Sequence, residues 1–482
     1  MNFTLLISVI IYEVILIGGV ALWLASRKKT SSSNGASFEL GGRDLPISVI
    51  IPSFALTVLG TAHILGIFEM SWFMGAASMW FGLANAMVIA IVCVSTGLWV
   101  RRMGVTTVPE MLERLYGPAV RVIVGCVMAG SIFGILTLET QGLGIILASM
   151  TGWSIQNGAI LGGLLGVLYV IFAGMKEVAW INLFNAILMY ISLILATYYI
   201  ATGLPNGDFS SVTEFYLSQE QGNLLSIFGQ TEIMLTFALG TVIAVVFSVP
   251  SSQLILQVAM SAKNEKTVRN SLWLAVPLNG LFGVFIIIIG LTAKSLPEFQ
   301  ALGPKLAAPS MLISLLPSWL AVMLIASFLA AVLSTFAMTC LGPATIFSND
   351  IYKPLYNPKA TDAQVTKVSR IAIIVLASVS VAVAASLPPI LAAIPWLLSW
   401  MIPITWLMVA GLLWRTSKSS ALITILSGWL VNMLWSFTEL PSWINLAGVP
   451  NAYIVLAVTV VVGFFSTILS ASNPGYFRQQ SA

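Results

Sequence analysis

The chain has 482 residues, of which 58% are hydrophobic and only 8% charged, and it carries a net charge of +4. Soluble domains keep about a quarter of their residues charged, so this composition excludes one and describes a chain that lives in lipid. The small positive surplus reads as a topology signal, and no nucleic-acid partner is expected.

Apolar runs alternate with short polar breaks, and each run is long enough to cross roughly 30 Å of hydrocarbon as a helix that satisfies its own backbone hydrogen bonds. Thirteen runs are expected, at about 3–26, 46–74, 78–99, 119–150, 156–174, 179–203, 231–260, 271–293, 311–348, 370–388, 391–414, 420–437 and 451–471. The expectation is an all-α polytopic membrane protein with about 13 transmembrane helices. The first run has no basic start and carries Arg27, Lys28 and Lys29 behind it, so it reads as a retained helix and not a cleaved leader.

Run two is not a plain span. Its stretch SFALTVLGTAHILGIFEMSW at 53–72 holds Thr57, Gly60, Thr61, the single histidine His63, and Glu69. A charged group in hydrocarbon costs at least about 2 kcal/mol, which makes such residues candidates for function. Run seven carries SVPSSQ at 248–253, where Pro250 cannot donate its helix hydrogen bond. Runs two to six and seven to eleven each make five helices, an odd number, so the two halves should lie inverted in the membrane, each opening on an interrupted helix. Such breaks near the midplane expose backbone groups that can bind an ion and a solute. The chain then divides into a peripheral helix and loop at 1–45, a first repeat at 46–203, an extracellular loop at 204–230, an inverted repeat at 231–415, and two peripheral helices with a cytoplasmic tail at 416–482.

Lys and Arg collect in cytoplasmic loops. With the N-terminus outside and the C-terminus cytoplasmic, only Lys294 and Lys305 of the 21 basic residues fall outside. This places the chain in the plasma membrane or a bacterial inner membrane. The cysteines Cys93, Cys126 and Cys340 share no metal or disulfide spacing and read as packing residues. The break at 295–310, rich in Pro and Gly, suits a short surface helix or gate.

In run nine, Ala331, Ser334 and Thr335 offer a carbonyl and two hydroxyls on one helical face, and neutral oxygens suffice for a hard monovalent cation. Glu139, in TLETQGLG with Gln141, is a second acid within an apolar run, open to three roles: a neutral carboxyl, a lining of a water path, or a cation ligand.

The chain resembles the sodium–solute symporter family from about residue 39 to 430. The resemblance rests on LGGRDLP at 40–46, RRMGVTTVPEMLERLYGPAVR at 101–121, AGMKEVAWINLFN at 173–185, LAAVLST at 329–335 followed by NDIYK at 349–353, and GLLWR at 411–415. It implies an inverted five-plus-five core of the LeuT-like kind and sodium as coupling ion. The family's shared sodium site, carried over by these motifs, implies the carbonyls of Leu56 and Leu59 together with Ala331, Ser334 and Thr335. Asn182 stands where many members have Asp, Asn185 at the usual Gln, and Ala337 and Met338 at hydroxyl positions, so a second sodium is not expected.

For the solute, the resemblance implies His63 on the outer half of the broken helix, where sugar-carrying members touch their cargo; a histidine donating to a nearby carbonyl is the competing reading. Glu69 with Trp72 could attract a cationic or zwitterionic amine or amino acid, or Glu69 could be a partly solvated interfacial acid. Thr61, Glu139, Gln141, Ser252 and Gln253 complete the expected solute contacts. The expected function is sodium-coupled import of a small organic solute by alternating access, one sodium per cycle. No enzymatic activity and no obligate protein partner are expected; proton coupling and a transporter-like sensor are the alternatives.

Overall fold

The computed structural model describes residues 3–27, 38–172, 174–384 and 390–481. Lys28 and Lys29, Ala173 of the 173–185 motif, and positions 385–388 of the tenth run lie outside the described residues. Among the described residues the architecture is helical but for one ladder of two-residue strands, Arg415–Thr416 against Asn473–Pro474.

Among the described residues eleven helices are long and apolar enough to cross a bilayer, against the thirteen runs expected. The difference lies at two places. Run two does not form a continuous span, and run five supplies Ile155–Val170, an apolar helix shorter than the others. Large apolar side chains stay exposed along the outer helices, Leu22, Trp273 and Leu469 among them. Such surface suits acyl chains and would be a liability in water.

Helix α1 (Phe3–Arg27) packs at the periphery. Run two yields α2 (Ile47–Thr57) and α3 (Ile67–Met74), separated by non-helical residues at Val58–Gly60 and a wide π-helical turn over Ala62–Gly66. Leu59 N–H reaches only as far back as Leu56 O, and regular helix bonding stops there. The chain turns at Gly75, whose φ of 61° favours glycine, and continues through α4 (Met79–Val94), α5 (Thr96–Met103) and α6 (Val108–Tyr116). The first half closes with the 34-residue α7 (Pro118–Thr151), α8 (Ile155–Phe172) and α9 (Met175–Gly203).

The second half repeats the interruption. Helix α10 (Leu239–Ser248) ends in a tight turn over Val249–Ser251, Ser252 is extended, and α11 (Gln253–Ser261) restarts the helix, as Pro250 led one to expect. Helix α12 (Glu265–Ser295) follows. Run nine differs from expectation: 311–315 belong to a separate helix α13 (Gly303–Leu315), and α14 (Ser318–Ile346) begins only after Pro317, which lacks the N–H needed to continue α13. Helices α13 and Pro297–Gln300 occupy the break at 295–310. Helices α15 (Asp362–Ala384), α16 (Ile390–Ser399), α17 (Ile402–Leu413), α18 (Lys418–Phe437) and α19 (Asn451–Leu469) complete the bundle.

Helix α14 is the axis of the molecule: 89% of its apolar window is buried, against 28% for α1. Cys93 and Cys340 are buried, as packing residues should be, whereas Cys126 is exposed, contrary to the packing role expected of it.

One end of the bundle gathers most of the charge. Leu45 bridges Ala262, Arg101 donates to Ala262 O at 2.7 Å, Arg102 pairs with Glu265 at 2.8 Å, and Arg43 donates to Val105 O at 2.9 Å. Arg121 reaches Asp350 at 2.7 Å and also pairs with Glu113. Lys294 sits apart from these, donating to Trp72 O at 2.7 Å.

Candidate functional site

The interruption in run two faces the middle of α14. Thr335 Oγ1 lies 3.4 Å from Leu56 O and 3.2 Å from Ala331 O, so one hydroxyl meets a carbonyl from each of the two segments. Leu56, Leu59, Ala331 and Ser334 are fully enclosed and Thr335 nearly so. Backbone carbonyls are available here because the helix stops at Thr57: Leu59, being non-helical, has no regular i+4 partner for its carbonyl. Ser334 Oγ donates to Asn182 Oδ1 at 2.5 Å, which leaves the lone pairs of the serine free to face a cation. The donors are neutral oxygens, and among the described residues no group of three His, Cys, Asp or Glu could hold a metal ion. This donor set fits a monovalent hard cation and not a transition metal.

The half of the broken helix that follows the break is fastened by an acid. Thr61 N–H donates to Glu139 Oε2 on α7 at 2.9 Å. A Cβ added at Gly60 would stand 2.5 Å from Glu139 Oε1, and one at Gly142 would stand 1.9 Å from Thr61 Oγ1. Both glycines are therefore needed for the two segments to approach so closely. Asn279 steadies α2, the half before the break, by donating to Ala55 O at 3.2 Å.

Beyond the break, the His63 ring packs on Phe81 with centroids 4.7 Å apart. It lies beside the Val58 carbonyl, yet neither ring nitrogen reaches hydrogen-bonding geometry. A narrow gap nearby is lined by Met70, Phe81, Phe237, Thr241, Pro395 and Leu398, contributed by both halves of the chain. Glu69 is buried in the first turn of α3, and Gln141 is buried on α7 with its Oε1 unpartnered.

Trp72, Ser252 and Gln253 are the other residues expected to contact the solute. Trp72 offers its carbonyl to Lys294, whose ammonium also stands 5.9 Å from the Trp72 ring. Ser252 is the extended residue before α11. Gln253 commits both ends of its amide to the turn before α6, accepting from Val108 N–H at 2.9 Å and donating to Thr106 O at 3.2 Å. Thr61 and Glu139 are thus joined to each other, and Gln253 is a clamp between elements. The bonds of Asn182, Asn279 and Gln253 were not foreseen; amides inside apolar runs were the available signal.

A helical bundle of membrane-spanning length in which a broken helix sets backbone carbonyls beside the hydroxyl of Thr335 is an architecture suited to carrying an ion and a solute. A sequence profile of the sodium:solute symporter family matches residues 38–428, and the chain belongs to that family. It is 27% identical over 415 residues to the uncharacterized symporter YidK of Escherichia coli (strain K12), covering 83% of this chain and 70% of that one. It is 22% identical to the sodium/glucose cotransporter of Vibrio parahaemolyticus, covering 96% of this chain and 90% of that protein. The solved structure of a Na+-coupled sialic acid symporter, substrate-bound and outward-open, superposes with a TM-score of 0.78 at 17% identity, covering 98% of this chain and 99% of that one. That likeness shows a fold of the LeuT-like kind. Membership makes this chain a multi-pass membrane transporter of a small solute, with sodium as the coupling ion that the family implies.

Proposed function

We propose that this protein imports a small organic solute with one sodium ion per cycle, by alternating access of two inverted five-helix repeats. Thirteen crossings result when the 42-residue span Ala62–Met103 is divided at Gly75, so that its first part completes the crossing begun by α2, and α8 is counted as well. It sets the N-terminus outside and the C-terminus in the cytoplasm, since the end of the bundle holding Arg43, Arg101, Arg102 and Arg121 is the basic one.

Leu56, Leu59, Ala331, Ser334 and Thr335 hold the ion, and the observation that carries this is the Thr335 hydroxyl in reach of both Leu56 O and Ala331 O. Ion binding draws the broken helix onto α14 and organises the outer half of that helix, where His63 and the gap beside Phe81 receive the solute. Glu69, with the aromatic residues at that end, favours a cationic or zwitterionic amine or amino acid. One sodium crossing about 100 mV releases roughly 2.3 kcal/mol. A tenfold gradient adds about 1.4, enough together for several hundredfold accumulation.

Purified protein is screened for thermal stabilisation by amines, amino acids, carboxylates and sugars in NaCl and in KCl, and the best compound is taken into proteoliposomes. Uptake driven by an inward sodium gradient is the expected result. Uptake that ignores sodium and collapses with a proton uncoupler would replace sodium by protons in this scheme.

A further inference from the structure

We infer that Glu139 is a positioning residue for the ion cradle: it grips the first peptide N–H of the outer half-helix and thereby fixes the Leu59 carbonyl two residues back. The inference rests on the transport reading above and adds to it a residue that does not touch the ion.

Three observations converge on it. Glu139 Oε2 accepts from Thr61 N–H at 2.9 Å across 78 residues of chain, with both residues buried. The seat is tailored from both sides, since a methyl at Gly60 would strike the carboxylate and one at Gly142 would strike Thr61. Thr61 itself provides no side-chain cap to the turn it opens, so the cap comes from α7.

The geometry gives the contact a purpose. The N–H groups that open a helix have no partner within it. Thr61 opens this half-helix two residues after Leu59, and the side-chain oxygen of Glu139 supplies the acceptor that its N–H otherwise lacks, which holds the break at a fixed angle beside the Leu59 carbonyl.

The test is a sodium titration of the thermal midpoint of purified protein, with KCl holding ionic strength constant. Wild type should show a saturable rise specific to sodium. Glu139→Ala should raise half-saturating sodium at least tenfold, while Glu139→Gln, whose amide oxygen can still accept from Thr61, should stay within about threefold. A general loss of stability would lower the midpoint in KCl without moving half-saturation, which separates positioning from simple packing. Gly60→Ala, which displaces the carboxylate, should repeat the weakening and carries the test if Glu139→Ala does not fold. Half-saturation within twofold of wild type in Glu139→Ala or Gly60→Ala overturns the inference, as does Glu139→Gln failing as badly as Glu139→Ala. A wild type that responds to potassium as to sodium overturns the transport reading itself.

Discussion

Ser334 on α14 donates its hydroxyl to the Asn182 side-chain oxygen on α9, 152 residues earlier, at 2.5 Å. A serine in a membrane helix ordinarily bonds back to its own backbone. Here the hydrogen is drawn sideways by a neighbouring helix, and the oxygen keeps its lone pairs for another partner. Asn182→Leu should release the hydroxyl to its own helix and raise half-saturating sodium about fivefold to tenfold. Unchanged sodium dependence in that variant would mean that Ser334 is oriented by something else.

The Thr335 hydroxyl meets a carbonyl from each of the two segments. Thr335→Ala should weaken sodium dependence of uptake about tenfold, and Ser334→Ala by a comparable factor, with the double variant losing coupling altogether. Thr335→Ser, which keeps the oxygen, should recover most of it. The readout is the sodium concentration giving half-maximal uptake, and equal values in Thr335→Ala and wild type would remove Thr335 from the cradle.

Arg121 is a hub of the charged end. It holds Asp350 at 2.7 Å, donates to Asn349 O at 2.8 Å and pairs with Glu113, while Thr107 donates to the same Asp350 oxygen at 2.9 Å. Asp350 is fully enclosed, so Arg121→Ala strands a buried charge, at a cost of about 3–5 kcal/mol. Thermal stability should fall sharply in Arg121→Ala and recover largely in Arg121→Ala with Asp350→Asn. A double variant no better than the single one would show that the ion pair is not what the arginine supplies.

Glu39 lies outside the spanning segments, where Ser369 donates to it at 2.7 Å and Asn349 at 3.0 Å. Burial pushes its carboxyl above the ordinary 4.5, and nearby Asp362 adds to the effect against the lowering by these hydrogen bonds. The folded state therefore keeps a proton that the unfolded state releases, and the contribution to stability is full below 4.5 and declines as pH rises through the elevated value. Melting midpoints measured upward from pH 4.5 should fall more steeply in wild type than in Glu39→Gln. Parallel slopes would refute the assignment.

Much of this was legible because membrane helices leave few options. Pro250 in run seven and the Gly60–Thr61 pair in run two announced the interruptions, since neither sequence can continue a helix comfortably in lipid. The oxygens of Ala331, Ser334 and Thr335 were visible as one helical face, and the structure brings Thr335 to Leu56. Pro317 was hidden within an apolar run, so the boundary between α13 and α14 was missed. The partners of Glu139 and Gln253 could not be read at all, because each lies on another helix and sequence periodicity gives faces, not pairings. The exposure of Cys126 was missed for the same reason.

The fastenings at the charged end are of two kinds. The Arg102–Glu265 pair is largely exposed, whereas the Gln253 amide that grips Thr106 and Val108 is enclosed and uncharged. Dissolved electrolyte screens the former and scarcely touches the latter. Raising ionic strength should consequently loosen the rim while the inner lock holds, so the closing of this mouth is buffered against the composition of the fluid that bathes it.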